Sequence, residues 1–289
     1  MDHQGMIIRP PSEAGSILLQ VTLGCSHGKC AFCGAYLGKR FGIKPREVVF
    51  GDIAWVARHC RDQRRVFLCD GDAVILPQVR LVEILTRIRE DLPWVTRVGA
   101  YAGAKSLKRK TDAELAELRG LGLGIVYMGL ESGDDAILRA MGKNGDAACI
   151  VEQGRRARAA GLKLNVTVIN GLGGVERSAI HAEATARALT RMDPDQVGAL
   201  SLMLVPGTPL HDRFERGEFV PPDARGMLRE LRALLAGTEL TRGLFLADHA
   251  SNYLPLKVRL PSGRDAALTR IDRALDGLTP LRPESARRL

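Results

Sequence analysis

The chain has 289 residues, of which 45% are hydrophobic and 26% are charged, and these fractions are typical of a globular protein rather than a disordered one. No apolar run approaches the roughly 20 residues that a membrane helix requires. Residues 1–15 lack the basic and then apolar pattern of a signal peptide. Membrane and secreted proteins are therefore disfavoured, and we expect a protein of the cytoplasm.

The formal net charge is +9, from 42 Lys and Arg against 33 Asp and Glu. This excess of positive charge suggests nucleic-acid binding as one possible function. That function needs Lys and Arg clustered on one face. Residues 38–65 carry eight basic and three acidic residues, but aromatic residues, which stack on bases, make up only 4% of the chain. Arginines in segments such as residues 154–160 fit a solvent-exposed helix face. RNA is therefore a possible partner but not the favoured one.

Short runs rich in Val, Ile and Leu alternate with amphipathic stretches along the chain. The runs lack a strict polar and apolar alternation, which is typical of parallel strands covered by helices. The predicted strands are Ser16–Thr22, Arg65–Cys69, Thr96–Tyr101, Gly124–Gly129, Leu162–Ile169 and Val197–Leu204.

Helical patterns lie between these strands. The predicted helices are Gln78–Glu90, a helix that begins at the capping-box sequence Thr111-Asp-Ala-Glu114, Asp146–Ala160 and Arg177–Arg191. Repeated alternation of strand and helix predicts a parallel sheet, either open or curled into a partial barrel. After residue 209 we expect helices at Arg225–Leu235 and Asp265–Leu275 and an extended piece at Gly243–Ala247. We predict a main domain at 1–220 and an extension at 221–289 that packs on it.

The spacing of three of the six cysteines sets them apart. Structural disulfides are not expected in the cytoplasm, and the isolated Cys60, Cys69 and Cys149 are predicted to be small buried hydrophobic residues. In contrast, Cys25, Cys30 and Cys33 lie within nine residues directly after the first predicted strand. A loop in that position can direct three sulfurs at one point.

Three thiolates leave one metal position open. A structural zinc site is normally closed by a fourth Cys or His, and His27 lies inside the loop to serve as one. An electron carrier ligated wholly by cysteines needs a fourth thiolate, and none is close in sequence. An iron–sulfur cluster with one iron left for an external ligand satisfies the count directly. We favour that cluster over zinc and over thiols that bind no metal.

The segment Cys25-Ser-His-Gly-Lys-Cys30-Ala-Phe-Cys33 resembles the cluster loop of the radical S-adenosylmethionine superfamily. The usual spacing there is three and then two residues. The four and two found here resemble a subset in the branch that includes coproporphyrinogen-oxidase-like and elongator-like proteins. The resemblance implies an α/β fold, a partial (β/α)6 TIM-like barrel with a mainly helical C-terminal extension. It also implies a [4Fe–4S] cluster held by Cys25, Cys30 and Cys33, with S-adenosylmethionine on the fourth iron.

Further motifs carry the resemblance along the chain. Asp70-Gly71-Asp72 resembles the Gly-Gly-Glu element that takes the methionine ammonium, although an ordinary turn uses the same residues. Glu131-Ser132-Gly133 resembles the polar element near the ribose or the amino-acid end, and Ser132 is equally suited to cap a helix. Residues 170–174 resemble the adenine motif, and a glycine-rich loop also serves phosphate or a simple turn. The implied cosubstrate contacts are Phe32, Gly71, Asp72, Glu131, Ser132, Asn170 and Gly171.

Polar residues outside the predicted barrel are candidates for substrate chemistry. Asp248 and His249 open a polar cluster that ends at Tyr253, and we take these two as candidate catalytic residues because a histidine titrates near neutrality. A structural role for His249 competes with this assignment. Lys39 and Arg40 follow the cysteine loop, where they either reach an anionic substrate or face solvent.

The resemblance implies an enzyme, an oxidoreductase or a transferase. In the family, the reduced cluster splits S-adenosylmethionine into methionine and a 5′-deoxyadenosyl radical that abstracts a hydrogen atom. We predict a small-molecule substrate and an electron donor such as flavodoxin or ferredoxin. The alternatives are a radical enzyme that modifies RNA and, less favoured, a non-catalytic zinc-binding protein.

Overall fold

The computed structural model describes residues 1–288, which form two compact units. The first unit comprises residues 1–28, 35–128 and 156–164. The second comprises residues 29–34, 129–155 and those from 165 onward. None of the helices in the described part of the chain has both the length and the apolar character needed to cross a membrane.

Strands and helices alternate through most of the chain, as expected for an α/β protein. The strands are β1 Ile17–Gln20, β2 Thr22–Leu23, β3 Gly42–Ile43, β4 Arg65–Cys69, β5 Arg97–Tyr101, β6 Leu123–Glu131, β7 Lys163–Asn170, β8 Gln196–Ser201, β9 Gly243–Ala247 and β10 Leu256–Leu260. The helices are α1 Arg46–His59, α2 Gln78–Asp91, α3 Ala104–Lys108, α4 Asp112–Gly120, α5 Asp135–Ala140, α6 Ala147–Ala159, α7 Gly174–Met192, α8 Pro209–Glu215, α9 Ala224–Gly237 and α10 Arg264–Leu275.

The sheet of the first unit is parallel. β1 pairs with β4, β4 with β5 and β5 with β6, and the register places Ile17 opposite Val66 and Val66 opposite Val98. Residues 66–69 are buried almost completely, because a parallel strand is covered on both of its faces. A separate antiparallel ladder joins β2 to β3 and so brings together the two ends of the cysteine loop.

The sheet of the second unit includes the C-terminal strands. β7, β8 and β9 are parallel, and β10 returns antiparallel to β9. Helix α7 packs against α9, and α9 packs against α10. The extended piece predicted at 243–247 is therefore a sheet strand, β9, and residues from 221 onward combine helices α9 and α10 with strands β9 and β10.

Most predicted elements are confirmed. All six predicted strands are present, although the first is interrupted at Val21. The capping box also forms as predicted: Glu114 N donates to Thr111 Oγ1, and Thr111 N donates to the Glu114 carboxylate. Helices α1, α3, α5 and α8 and strands β3 and β10 were not predicted. Helix α1 buries Val49, Ile53 and Val56 at helical spacing, and β10 alternates buried and exposed residues. The domain division at residue 220 stays a prediction.

A buried carboxylate stabilises the first unit. Glu13 is fully buried and accepts hydrogen bonds from Arg97 Nη2, Tyr127 OH and Ser16 Oγ, each at 2.5 Å. Burial raises the pKa of the Tyr127 phenol above its usual value, and the bond to Glu13 adds to this effect. The phenol therefore stays protonated and serves as a donor to Glu13.

Replacing Glu13 by Ala should destabilise the protein by about 3 kcal/mol, because Arg97 loses its partner in a largely buried site. This value is at the lower end for a broken buried pair, since the Arg97 side chain keeps 25% of its surface exposed. Urea unfolding measures the difference. The matched control is Glu183→Ala, which removes the exposed ion pair to Arg187 and should cost under about 0.5 kcal/mol. Equal effects of the two substitutions would contradict the role given to Glu13.

Candidate active site

The turn directly after β4 contacts the start of the cysteine loop residue by residue. Asp70 Oδ2 accepts a hydrogen bond from Gly24 N at 2.8 Å, and Gly71 N donates to Gly24 O at 3.0 Å. A Cβ atom on Gly71 would lie only 2.8 Å from Cys25 Cβ, so this close approach requires glycine. Asp72 Oδ2 accepts from Ser26 Oγ at 3.0 Å. Residues 70–72 therefore hold residues 24–26 in order.

Asp72, a predicted cosubstrate contact, has a buried carboxylate. In addition to the bond from Ser26, its Oδ1 accepts from Gly103 N at 3.3 Å. Burial raises the pKa of Asp72, and the bonds from Ser106, Gly103 and Ser26 oppose that rise. The structure shows which groups of the protein contact this carboxylate, and its contact with the methionine ammonium stays a prediction.

The cysteines of the loop differ from the others in their surroundings. No disulfide forms, and Cys25, Cys30 and Cys33 are each partly exposed. Cys69 is fully buried, its Sγ donates to Phe67 O, and burial raises the pKa of its thiol, so the prediction of a buried hydrophobic residue is confirmed there.

The same prediction is wrong for Cys60 and Cys149, which are partly exposed. Cys60 caps the C-terminal end of α1, and Cys149 lies in the first turn of α6, where its N–H is bonded to Asp146. Helix ends of this kind lie near the surface because their terminal backbone groups need partners outside the helix.

The donor chemistry of the loop fits an iron–sulfur cluster. Within residues 1–288 no three His, Cys, Asp or Glu side chains form a group able to hold a single metal ion. A [4Fe–4S] cluster takes cysteine thiolates as its protein ligands. Three thiols without disulfides, partly exposed and packed at Cys25 against a glycine, are suitable ligands for it.

Glu131 and Ser132, two further predicted contacts, are engaged by groups of the protein. Glu131 ends β6 with a φ of 65° and forms an ion pair with Lys143 at 2.8 Å. Ser132 is fully buried, and its Oγ lies 2.8 Å from Nδ1 of His181. Their contacts with the cosubstrate stay predictions.

The alternative role of Ser132 as a helix cap is wrong. The residue that caps α5 is Asp134, whose carboxylate accepts from Ala136 N. Ser132 Oγ instead accepts from Asp134 N at 3.0 Å and faces His181. Asp134 lies two residues closer than Ser132 to the free N–H of Ala136. The Ser132 hydroxyl is used in a buried contact with His181 that the sequence does not predict.

The loop after β7, predicted to contact adenine, is fixed by helix α9. Gly171 has a φ of 85°, and its N–H donates to the carboxylate of Glu230, which also accepts from Ser178 Oγ. A Cβ on Gly171 would lie 2.3 Å from Met227 Cε. Helix α9 therefore contributes both a polar and an apolar contact to this loop.

Asn170, the last residue of β7, is 1% exposed, and neither its side-chain nitrogen nor its side-chain oxygen has a hydrogen-bond partner in the described part of the chain. A buried amide left in this state is costly. An amide pairs well with the adjacent donor and acceptor of an adenine edge. The chemistry of this side chain therefore fits the predicted ligand.

Glu230 and His181 were not predicted as site residues. Burial raises the pKa of Glu230 to about 7, against the bonds from Ser178 and Gly171, and burial lowers the pKa of His181 to about 4. His181 is therefore neutral near pH 7. Its Nε2 lies 3.0 Å from Ile169 O, which can only accept, so the proton is on Nε2 and Nδ1 accepts from Ser132. Ser132, His181 and Glu230 are far apart in the chain, so no motif spacing in the sequence predicts their proximity.

The C-terminal candidates follow β9. Because β7, β8 and β9 are parallel, Asn170, Ser201 and His249 lie at the same edge of the second unit's sheet, where ligands of α/β proteins bind. Asp248 is exposed and His249 is partly buried. Burial lowers the pKa of His249, and Ser251 N donates to its Nδ1 at 3.1 Å. In the neutral ring the proton is therefore on Nε2.

Two of the remaining candidates have defined surroundings. Lys39 Nζ is paired with Asp70 Oδ2 at 2.7 Å, and its contact with an anionic substrate stays a prediction. Arg40 is exposed, in agreement with the solvent-facing alternative. Phe32 is partly buried, and its contact with the cosubstrate stays a prediction.

Comparison with known protein families matches residues 19–185 to the Radical SAM superfamily. The match covers more than half of the chain and includes the three loop cysteines and every predicted cosubstrate contact. The chain belongs to this superfamily. The predicted family and its cofactors, a [4Fe–4S] cluster and S-adenosylmethionine, are thus confirmed at family level, while Asp248 and His249 lie outside the match. None of the curated proteins matches the sequence.

Solved radical SAM structures share the fold. Coproporphyrinogen III oxidase from Escherichia coli has a TM-score of 0.57 at 15% identity, over 76% of this chain and 51% of that chain. The methyltransferase TsrM from Kitasatospora setae, solved with cobalamin and a [4Fe–4S] cluster, has a TM-score of 0.54 at 18% identity, over 68% and 38%. Elp3 from Methanocaldococcus infernus, lacking its N-terminus, has a TM-score of 0.52 at 13% identity, over 92% and 64%.

These likenesses confirm the predicted α/β partial barrel. The chain spans between 38% and 64% of the length of the three structures. At identities below 20% the similarity concerns the fold alone.

The pKa of Glu230 predicts a measurable pH dependence. Its folded value of about 7 lies above the ordinary 4.5, so the folded state keeps a proton that the unfolded state has lost between these pH values. The contribution of Glu230 to the free energy of unfolding is largest below pH 4.5 and decreases as the pH rises to 7. Glu230→Gln removes that fall.

Urea unfolding at pH 5 and pH 7 tests this expectation. On going from pH 5 to pH 7, the free energy of unfolding of the Gln variant should gain about 2 kcal/mol relative to the wild type. His181 contributes a rise in stability with pH between about 4 and 6.5, and because its Nε2 lies 3.5 Å from Glu230 Oε1, the difference between the two proteins includes the coupling between these residues. Parallel pH profiles of the two proteins would contradict the raised pKa.

Proposed function

We propose that the protein is a radical S-adenosylmethionine enzyme that abstracts a hydrogen atom from a small-molecule substrate. The observation that carries the proposal is the cysteine loop, which lies inside the family match and is held at Cys25 by the turn 70–72. Cys25, Cys30 and Cys33 would bind three irons of a [4Fe–4S] cluster and leave the fourth to the cosubstrate. When bound, the two cofactors supply a 5′-deoxyadenosyl radical.

The residues after the strands would bind the cosubstrate. The carboxylates of Asp72 and Glu131 suit a methionine ammonium, and the buried amide of Asn170 suits an adenine edge. Gly71 and Gly171 permit close approach of the backbone. Ser132 would support this region, and Phe32 would cover the cluster side of the ligand. Each of these groups would restrict the part of the ligand that it contacts and exclude water from it.

We assign substrate binding to the polar segment after β9. His249 has its proton on Nε2 in the neutral ring, so it would donate a hydrogen bond to an acceptor atom of the substrate. Asp248 is exposed at the same position and would accept a proton or bind a cationic group. The radical reaction also needs a one-electron donor, for which a flavodoxin or ferredoxin of the cytoplasm is suitable.

Cys30→Ala should abolish both the iron–sulfur chromophore and the cleavage of S-adenosylmethionine, because the cluster loses one of three thiolates. Iron and sulfide content, visible absorbance and methionine formation are measured after anaerobic reconstitution. Cys149→Ala is the matched control, since Cys149 is also partly exposed but lies in the first turn of α6, and it should keep both properties. A full cluster content in the Cys30 variant would falsify the proposed cluster site.

Asp72→Asn should weaken S-adenosylmethionine binding about tenfold or more while the cluster remains, because the ammonium loses a charged partner. Asn is chosen since its amide oxygen can still accept from Ser26 and Gly103. Isothermal titration calorimetry measures affinity, and iron analysis measures the cluster. Unchanged affinity would show that Asp72 does not contact the ammonium.

A further inference from the structure

Asp70 has an unusual backbone conformation for its residue type. Its φ is 70°, in the left-handed region, and only Glu131 and Asp193 share a positive φ among the non-glycine residues of 1–288. Asp70 occupies the first position of the element that resembles Gly-Gly-Glu, where glycine would adopt this conformation without strain. A side chain kept at such a position points to a function for that side chain.

The carboxylate of Asp70 joins three segments of the first unit. It is fully buried, and its Oδ2 accepts from Gln20 Nε2 at 3.1 Å, Gly24 N at 2.8 Å and Lys39 Nζ at 2.7 Å. Gln20 ends β1, Gly24 immediately precedes Cys25, and Lys39 lies six residues after Cys33. One oxygen therefore binds both ends of the segment that carries the three loop cysteines.

The backbone around these ends is tightly packed. Gly24 has a φ of 68°, and a Cβ there would lie 3.1 Å from Lys39 O and 3.3 Å from Arg40 O. Just outside this contact, β2 pairs with β3. The ends of the cysteine segment are thus brought together, and Asp70 supplies the charged contact at the junction. Fixing the ends of a loop reduces the entropy that its side chains lose on binding a ligand.

We propose that Asp70 is a positioning residue for the cluster: its carboxylate closes the base of the cysteine segment through Gly24 and Lys39 and so holds Cys25 in place to bind iron. This inference rests on the proposed function for the identity of the metal group. The closure itself is a property of the protein without cofactor. Charge-assisted bonds of this kind are the stronger class of hydrogen bond.

Three variants test the proposal. Asp70→Asn keeps the size of the side chain and weakens the bond to Lys39. Asp70→Gly removes the carboxylate and also relieves the backbone strain, which offsets part of the stability lost with the carboxylate. Lys39→Met removes the other partner. The matched control is Asp72→Asn, which changes the neighbouring carboxylate of the same turn and retains an acceptor for Ser26.

The first measurement uses the full chain without cluster. Alkylation by iodoacetamide is followed residue by residue by mass spectrometry, with Cys149 as the internal reference for general unfolding. We expect Cys25 to react at least about threefold faster in the Asp70 and Lys39 variants, because the ends of the cysteine segment are no longer held together next to it. Cys149 should react at the wild-type rate. Unchanged Cys25 reactivity in both Asp70 variants would overturn the proposal.

The second measurement uses the reconstituted chain, challenged anaerobically with an iron chelator. The half-life of the visible absorbance should fall about tenfold in Asp70→Asn and Asp70→Gly and stay near the wild-type value in Asp72→Asn. The double variant of Asp70→Asn and Lys39→Met should have a half-life no shorter than that of the weaker single variant, because both substitutions remove the same ion pair. A fully additive loss, or a wild-type half-life in Asp70→Gly, would contradict the proposal.

The two measurements separate this inference from the proposed function. A wild-type chain that takes up no iron and sulfide would contradict the cluster, while the alkylation experiment would still decide the role of Asp70. A wild-type chain with a full cluster and insensitive Asp70 variants would leave the proposed function standing and remove only the positioning role.

Discussion

The contact between the turn after β4 and the first loop cysteine is the constraint on which the site depends. Gly71 lies so close to Cys25 that no side chain fits between them, and the flanking carboxylates bind the residues on either side of that cysteine. Because β4 is buried and paired on both edges, this turn has a rigid base. The cysteine loop is thus attached at Cys25 to the end of a buried strand.

The sequence predicts the local parts of this architecture well. Strand positions follow from runs of Val, Ile and Leu, and the box at Thr111 follows from two residues three positions apart, so both depend on neighbours in the chain. The cysteine spacing belongs to the same class of signal. These features survive folding because tertiary contacts reinforce the local preference instead of opposing it.

The parts that could not be predicted are contacts between distant segments. Ser132 has a suitable residue type and position for a helix cap, yet its hydroxyl faces His181, 49 positions away. Glu230 looks like an ordinary charged residue on an amphipathic helix, and only the fold shows that it is buried against Gly171. Helix α1 and strand β10 are exceptions, since the helical spacing of the one and the alternating pattern of the other are local signals in the sequence.

Helix α9 has a consequence for how this superfamily member can be re-engineered. Met227 and Glu230, one helical turn apart, form the surface against which Gly171 is packed. Residues after 220 are therefore not an interchangeable module. A chimera that joins another C-terminal segment to residues 1–220 needs a hydrogen-bond acceptor and a flexible apolar side chain at the same spacing. Without them, Gly171 loses the contacts that Glu230 and Met227 make with it.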